Sequence, residues 1–323
     1  MKERKDIIAH TAIIAVILII LVVSVYKLVK WNQGSPDAGA VDTDENFDVE
    51  TEDYITAMNK DLLKNHPDDG KTSIVFLGDD VLANYTGADG IPAQVSSLMG
   101  SSNPTEVYNC GFQNITASAS NSFWDDTHPE DAFSLYWVTK SITLSDYTLL
   151  NNVVDQVDPA YKKTIQTLEN IDFNTIDAIV IMYGANDYVK GKMITDPADP
   201  VNTAAFTGAL NSSITLIKEA YPHIRIIVLS PTYCEVEHEG KLQGGDIANT
   251  GYGILADYMV AEKAICVESN VTFLDNYYGV DINSDTADKY LEKNRVAPNA
   301  AGRKLIAQRI VDLLNKEVPV NVE

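Results

Sequence analysis

The chain has 323 residues, 45% of them hydrophobic, enough apolar material for one large domain or two small ones. Its formal net charge is −22, with +3 in residues 1–30 and therefore −25 over the remainder. So acidic a domain stays soluble and is repelled by phosphate backbones and anionic membrane surfaces, which excludes nucleic acid as a partner. Cys110, Cys234 and Cys266 are too few for a disulfide framework; they read as small buried residues, with one pair plus a free thiol as the alternative. No C-x-x-C or H-E-x-x-H spacing occurs, so neither a metal nor a cofactor is expected.

Ile7 to Tyr26 form a 20-residue run without a formal charge. At about 1.5 Å per residue it spans roughly 30 Å, the thickness of a bilayer's hydrocarbon core. The run is long for a signal-peptide core and no small-x-small cleavage site follows it. An uncleaved transmembrane helix over about 7–29 is therefore expected, with a cleaved signal as the alternative. Lys2, Arg4 and Lys5 precede the run, while Lys27 and Lys30 after it blunt the positive-inside argument. The acidic bulk still favours a single-pass cell-membrane protein with a cytoplasmic N-terminus and an extracytoplasmic domain. Residues 31–52, rich in Asp and Glu with Gly34, Pro36 and Gly39, have little to bury and read as a solvated stalk. A short helix is predicted over Tyr54 to Asn65, so 31–70 is assigned to stalk and helix together.

From Thr72 onward, short β-branched runs alternate with longer helical patterns. Strands are predicted at Ser73–Leu77, Glu106–Asn109, Ala178–Met182, Ile224–Leu229 and Val271–Leu274. Helices are predicted at Pro92–Met99, Asp131–Ser141, Ser145–Val154, Pro159–Asn170, Thr203–Ala220, Tyr252–Ser269 and Asn299–Leu314. Such alternation argues for a parallel sheet with helices on both faces. No repeat or second linker appears, giving one domain over 71–317, a largely helical insertion at about 113–170, and a tail at 318–323.

Four segments carry polar groups at strand ends or helix starts. Ile74-Val75-Phe76-Leu77 runs into Gly78-Asp79-Asp80, and Val107-Tyr108 into Asn109-Cys110-Gly111. The apolar run Ile179–Met182 ends in Tyr183-Gly184-Ala185-Asn186-Asp187, and Asn294-Arg295-Val296-Ala297-Pro298-Asn299-Ala300-Ala301-Gly302 opens the last helix. In this order they resemble the four blocks of the SGNH (GDSL-type) hydrolases: G-D-S-[LI], N-x-G, G-x-N-D and D-x-x-H-P-N-x-x-G. The resemblance covers most of residues 72–317. It implies a flavodoxin-like three-layer α/β/α sandwich of about five parallel strands. It also implies an esterase cleft in which Gly111 and Asn186 donate to an oxyanion.

The three proton-handling positions depart from the family. The nucleophile position holds Asp80, the Asp position Asn294 and the His position Ala297. Ala297 accepts no proton, Asn294 has no imidazole to orient, and Asp80 is a poor acyl acceptor. The resemblance thus implies a binding cleft without the usual hydrolysis, its ligand an acylated glycan or another envelope component. An active esterase is the alternative: Asp125-Asp126-Thr127-His128-Pro129 offers His128 as a relocated base, and His238 follows the fourth strand. Asp79, Asp80 and Asp187 are weighed as a carboxylate cluster for a cation, against the simpler reading that backbone amides hold Asp79 and Asp187 at turns.

Overall fold

The computed structural model describes residues 51–57, 66, 69–100 and 104–316. The expected membrane helix, most of the stalk and the C-terminal tail lie outside them. Among the described residues no helix is long and apolar enough to cross a membrane.

In chain order the strands are β1 (Thr72–Gly78), β2 (Thr105–Gly111), β3 (Ala178–Met182), β4 (Arg225–Leu229), the pair β5 (Glu235–His238) and β6 (Lys241–Gly244), and β7 (Thr272–Leu274). Five of them form one parallel sheet in the order β2-β1-β3-β4-β7. Every residue of β3 and β4 is buried, because a parallel strand covered on both faces has no solvent side. Side chains alternate between two cores. Val75, Leu77, Ile179, Ile181 and Val228 face one, with the helices Leu135–Leu144, Phe206–Ala220 and Leu255–Glu268. Ile74, Phe76, Val180, Ile227 and Leu229 face the other, with the helices Ile91–Met99 and Ala300–Asn315. The expected sandwich is present, and between β2 and β3 the chain carries the helices Leu135–Leu144, Thr148–Val157 and Lys162–Asn170.

The structure differs from the prediction at three places. Tyr54 is not helical: it pairs antiparallel with Phe273, Tyr54 N donating to Phe273 O at 2.9 Å and Phe273 N to Tyr54 O at 2.8 Å. This covers the open edge of β7, which would otherwise leave amides unpaired. Ordered contacts thus begin before residue 71, within the span assigned to the stalk; residues 58–65 of the predicted helix lie outside the described residues. The helix predicted from Asp131 starts at Leu135 after a 3-10 turn, Pro129–Phe133, because the Asp131 carboxylate accepts from Ser120 N at 2.8 Å. The hairpin β5–β6 was not predicted. Its turn uses Glu239 and Gly240, both at positive φ, as a tight hairpin requires.

The topology fixes where a ligand can sit. β1 leads outward to β2, and the chain returns to the other side of β1 as β3. Loops leaving β1 and β3 therefore diverge, opening a crevice at their carboxyl ends. Asp79, Asp80, Asn186 and Asp187 stand there.

Candidate functional site

β1 ends at Gly78, and the chain turns at once into the short helix Asp80–Ala83. Asp79 caps that turn, its Oδ1 accepting from Val81 N at 3.2 Å. Its Oδ2 accepts from Asn186 N at 3.3 Å, tying the end of β1 to the end of β3. Burial lifts the Asp79 carboxyl to about 7; the amides of Val81 and Asn186 oppose the rise, and Asp80 and Asp187 add to it.

On the other side of the crevice, Gly184 adopts a φ of +106° that lets β3 break into the helix Ala185–Val189. Asn186 Nδ2 then donates to Asp80 Oδ2 and to Ile115 O at 2.9 Å. Asp80 Oδ2 also accepts from Asn114 N at 2.7 Å, and Asp80 Oδ1 from Asn84 Nδ2 at 2.9 Å. A backbone N–H and an amide N–H converge on one carboxylate oxygen. This is the geometry of an oxyanion hole, filled by a side chain of the same protein.

Gly111 is not the backbone donor of this pair. Its N–H donates to Asn109 Oδ1 at 3.2 Å. Glycine is needed there for packing, since a Cβ would stand 2.7 Å from Leu82 Cβ and 2.8 Å from Ala83 N. The donor is Asn114, further along the same loop, at a φ of +56° that asparagine tolerates better than most residues. Sequence reasoning missed it because nothing local in Phe112-Gln113-Asn114 marks an inward-pointing N–H.

Asp187 holds that loop in place. Fully buried, it accepts from Ala117 N at 2.8 Å, Ser118 N at 3.0 Å and Ser118 Oγ at 2.6 Å. Burial raises its carboxyl against these hydrogen bonds. Asp79 and Asp187 are thus held by backbone amides at turns. Among the described residues no group of three or more His, Cys, Asp or Glu is arranged to hold a metal ion. Behind them lies Glu262, fully buried on the helix Leu255–Glu268 with neither carboxyl oxygen hydrogen-bonded. Burial pushes its carboxyl far up, and Asp187 and Asp79 add to the rise. Its spacing from the buried Tyr258 and Cys266 was the available sequence signal, placing a carboxyl on the apolar stripe.

The histidines are elsewhere. His128 Nδ1 lies 3.2 Å from Glu130 Oε1. Asp125 does not orient it: Asp125 Oδ1 accepts from Thr127 N at 2.9 Å and Thr127 Oγ1 at 2.8 Å. His238 ends β5, its carbonyl accepting from Gln243 Nε2 at 3.2 Å. His66 and His223 stack on each other at 4.5 Å, with His66 Nε2 3.0 Å from Asp177 Oδ1 just before β3, at the opposite edge of the sheet. None of the described histidines hydrogen-bonds Asp80.

The fourth block serves its own loop. Asn294 Oδ1 accepts from Val296 N and Ala297 N, both at 3.1 Å, and Ala297 is buried. Asn299 caps the last helix through Ala301 N at 2.9 Å and Gly302 N at 3.1 Å. Arg303 is buried; its Nη1 donates to Glu292 Oε1 at 3.0 Å and Pro298 O at 2.7 Å, and its Nη2 to Asp89. Its guanidinium lies 3.7 Å from the centre of the Tyr85 ring.

Asn114, which donates to Asp80, also lines a cavity of about 570 Å³ with Gln113, Glu130, Tyr161 and Lys190 among others; Asp80 itself is not in the lining. Lys190 Nζ donates to Asn114 O at 2.6 Å. The three cysteines are buried and unpaired, and burial pushes the thiols up.

No family profile and no curated protein matches the chain. Solved structures do. A Lactobacillus plantarum protein is 19% identical, with 76% of this chain and 97% of that chain covered and a TM-score of 0.51. A possible lipase from Chitinophaga pinensis is 13% identical, with 76% and 98% covered and a TM-score of 0.48. A catalytic mutant of an acetylxylan esterase from Geobacillus stearothermophilus is 18% identical, with 80% and 100% covered and a TM-score of 0.45. At such identities a likeness speaks for the fold. The five-stranded parallel sheet, in the order β2-β1-β3-β4-β7, matches the fold of the SGNH hydrolases.

Proposed function

We propose that this is a membrane-anchored, extracytoplasmic SGNH-like protein whose cleft binds a glycan of the cell envelope without hydrolysing it. One observation carries the reading: Asp80 Oδ2 accepts from both Asn114 N and Asn186 Nδ2, so the nucleophile position fills the hole it would otherwise serve. Ester hydrolysis needs a nucleophile, a base to deprotonate it, and an empty donor pair for the developing oxyanion. Asp80 supplies a charge where the oxyanion would form, and Ala297 supplies no base. Losing such a triad costs on the order of 10⁶ in kcat, leaving roughly 10³–10⁴ over water. The apolar run over 7–26 supports the anchor, and the acidic domain supports its placement outside. The glycan class rests on the family's usual substrates.

The test uses the full chain in detergent, with short acyl esters and acetylated sugars as substrates and oligosaccharides as ligands. Saturable binding with no turnover above buffer is expected. A second reading, an esterase using His128, is favoured by Glu130, which contacts His128 and also lines the cavity. Turnover that vanishes in His128→Ala or Asp80→Ala establishes that reading and ends the first.

A further inference from the structure

The cleft has its polarity reversed relative to an esterase, and that decides which ligand it takes. An open donor pair recognises a carbonyl or carboxylate oxygen. Here both donors are committed: Asn114 N to Asp80 Oδ2, and Asn186 Nδ2 to Asp80 Oδ2 and Ile115 O. A neutral acyl carbonyl is a weaker acceptor than an ionised carboxylate, by roughly twofold in hydrogen-bond strength, so it does not displace Asp80. What the cleft offers a ligand is therefore an acceptor. Asp80 is only half-buried, and its Oδ1 has one partner, Asn84 Nδ2. The adjoining cavity adds Gln113, Gln156 and Tyr161, side chains suited to hydroxyl groups, and its volume of about 570 Å³ suits a short oligosaccharide.

We propose that the cleft is selective for deacylated glycan, placing a free hydroxyl or amine of the sugar against the Asp80 carboxylate where an esterase would place the acyl carbonyl. This rests on the glycan-binding reading above and sharpens it. An O-acyl group at that position removes the donor and brings a carbonyl oxygen up to a carboxylate, so O-acylation blocks binding. The protein then recognises what a deacylating esterase leaves behind.

Calorimetric titration of the full chain in detergent, with xylotetraose and its O-acetylated form as probes, tests this. The unacetylated form is expected to bind at least about tenfold more tightly, since one charge-assisted hydrogen bond is lost and an acceptor is set against an acceptor. Asp80→Asn, which keeps the shape and removes the charge, is expected to lose most of that preference. Asp80→Ala, which frees Asn114 N and Asn186 Nδ2, is expected to invert it. Circular dichroism of both variants establishes that they are folded. Equal or tighter binding of the acetylated form by the wild-type chain overturns the selectivity and leaves the glycan-binding reading standing, as does an unchanged preference in both folded variants. Binding of neither probe overturns both.

Discussion

The carboxyl edge of β1 and β3 and the loop Asn294–Arg303 stand at matching positions of one family pattern, yet are built differently. At the strand edge the polar groups bridge distant segments: Asp79 to Asn186, Asp80 to Asn114 and Asn186, Asp187 to Ala117 and Ser118. In the loop, Asn294 serves amides two and three residues on, and Asn299 does the same for the last helix. Its long-range ties run through Arg303 to Asp89 and Tyr85 and through Arg295 to Glu235. The strand edge is thus a set of segments whose polar groups hold one another. The loop is a structural clasp for the last helix. Substitutions should therefore separate function from stability according to region.

The largest effect is expected in the clasp. Arg303→Met leaves Asp89 and Glu292 without their buried cation and should lower unfolding free energy by on the order of 3 kcal/mol in urea titrations, with ligand affinity unchanged below the transition. A variant as stable as wild type would show that the clasp carries no load. Next is Glu262, buried beside the strand edge without a partner. Glu262→Leu should stabilise the fold by about 1–3 kcal/mol. A carboxyl with a raised folded pKa stabilises fully below its unfolded value and loses that contribution as pH rises through the folded value. The gain from Glu262→Leu should accordingly be larger at pH 8 than at pH 5, and thermal melts at the two pH values check this.

Asp79 obeys the same sign. Its contribution is complete below about 4 and is lost as pH rises through about 7. Asp79→Asn keeps an acceptor for only one of the two amides, Val81 N or Asn186 N, and should flatten the fall in stability between pH 5 and 8 by roughly 1–2 kcal/mol. A slope identical to wild type would place the titration elsewhere. The smallest effect belongs to Asn294→Ala, which removes one turn-stabilising side chain and should cost about 0.5–1 kcal/mol without changing glycan affinity. A loss of binding there would make the loop part of the site.

Much of this was legible in the residues because parallel strands buried on both faces must be apolar runs broken by polar turns. Ala178–Met182 followed by Gly184-Ala185-Asn186-Asp187 announces both its burial and its edge. The hairpin Glu235–Gly244 was hidden because its strands bury little and alternate weakly. Tyr54 was misread because its helical spacing is local, whereas the open edge of β7 that captures it lies more than two hundred residues away. By itself, the sequence determined which carboxylates and amides stand at strand ends, and that Ala297 offers no base. Only the tertiary structure decided that Asn114 and not Gly111 supplies the backbone donor to Asp80, and that Asn186 Nδ2 meets the same carboxylate oxygen. The physical reason is that a backbone N–H carries no signature of its own; which way it points depends on how its loop is pinned, here by Asp187 from the short helix that follows β3.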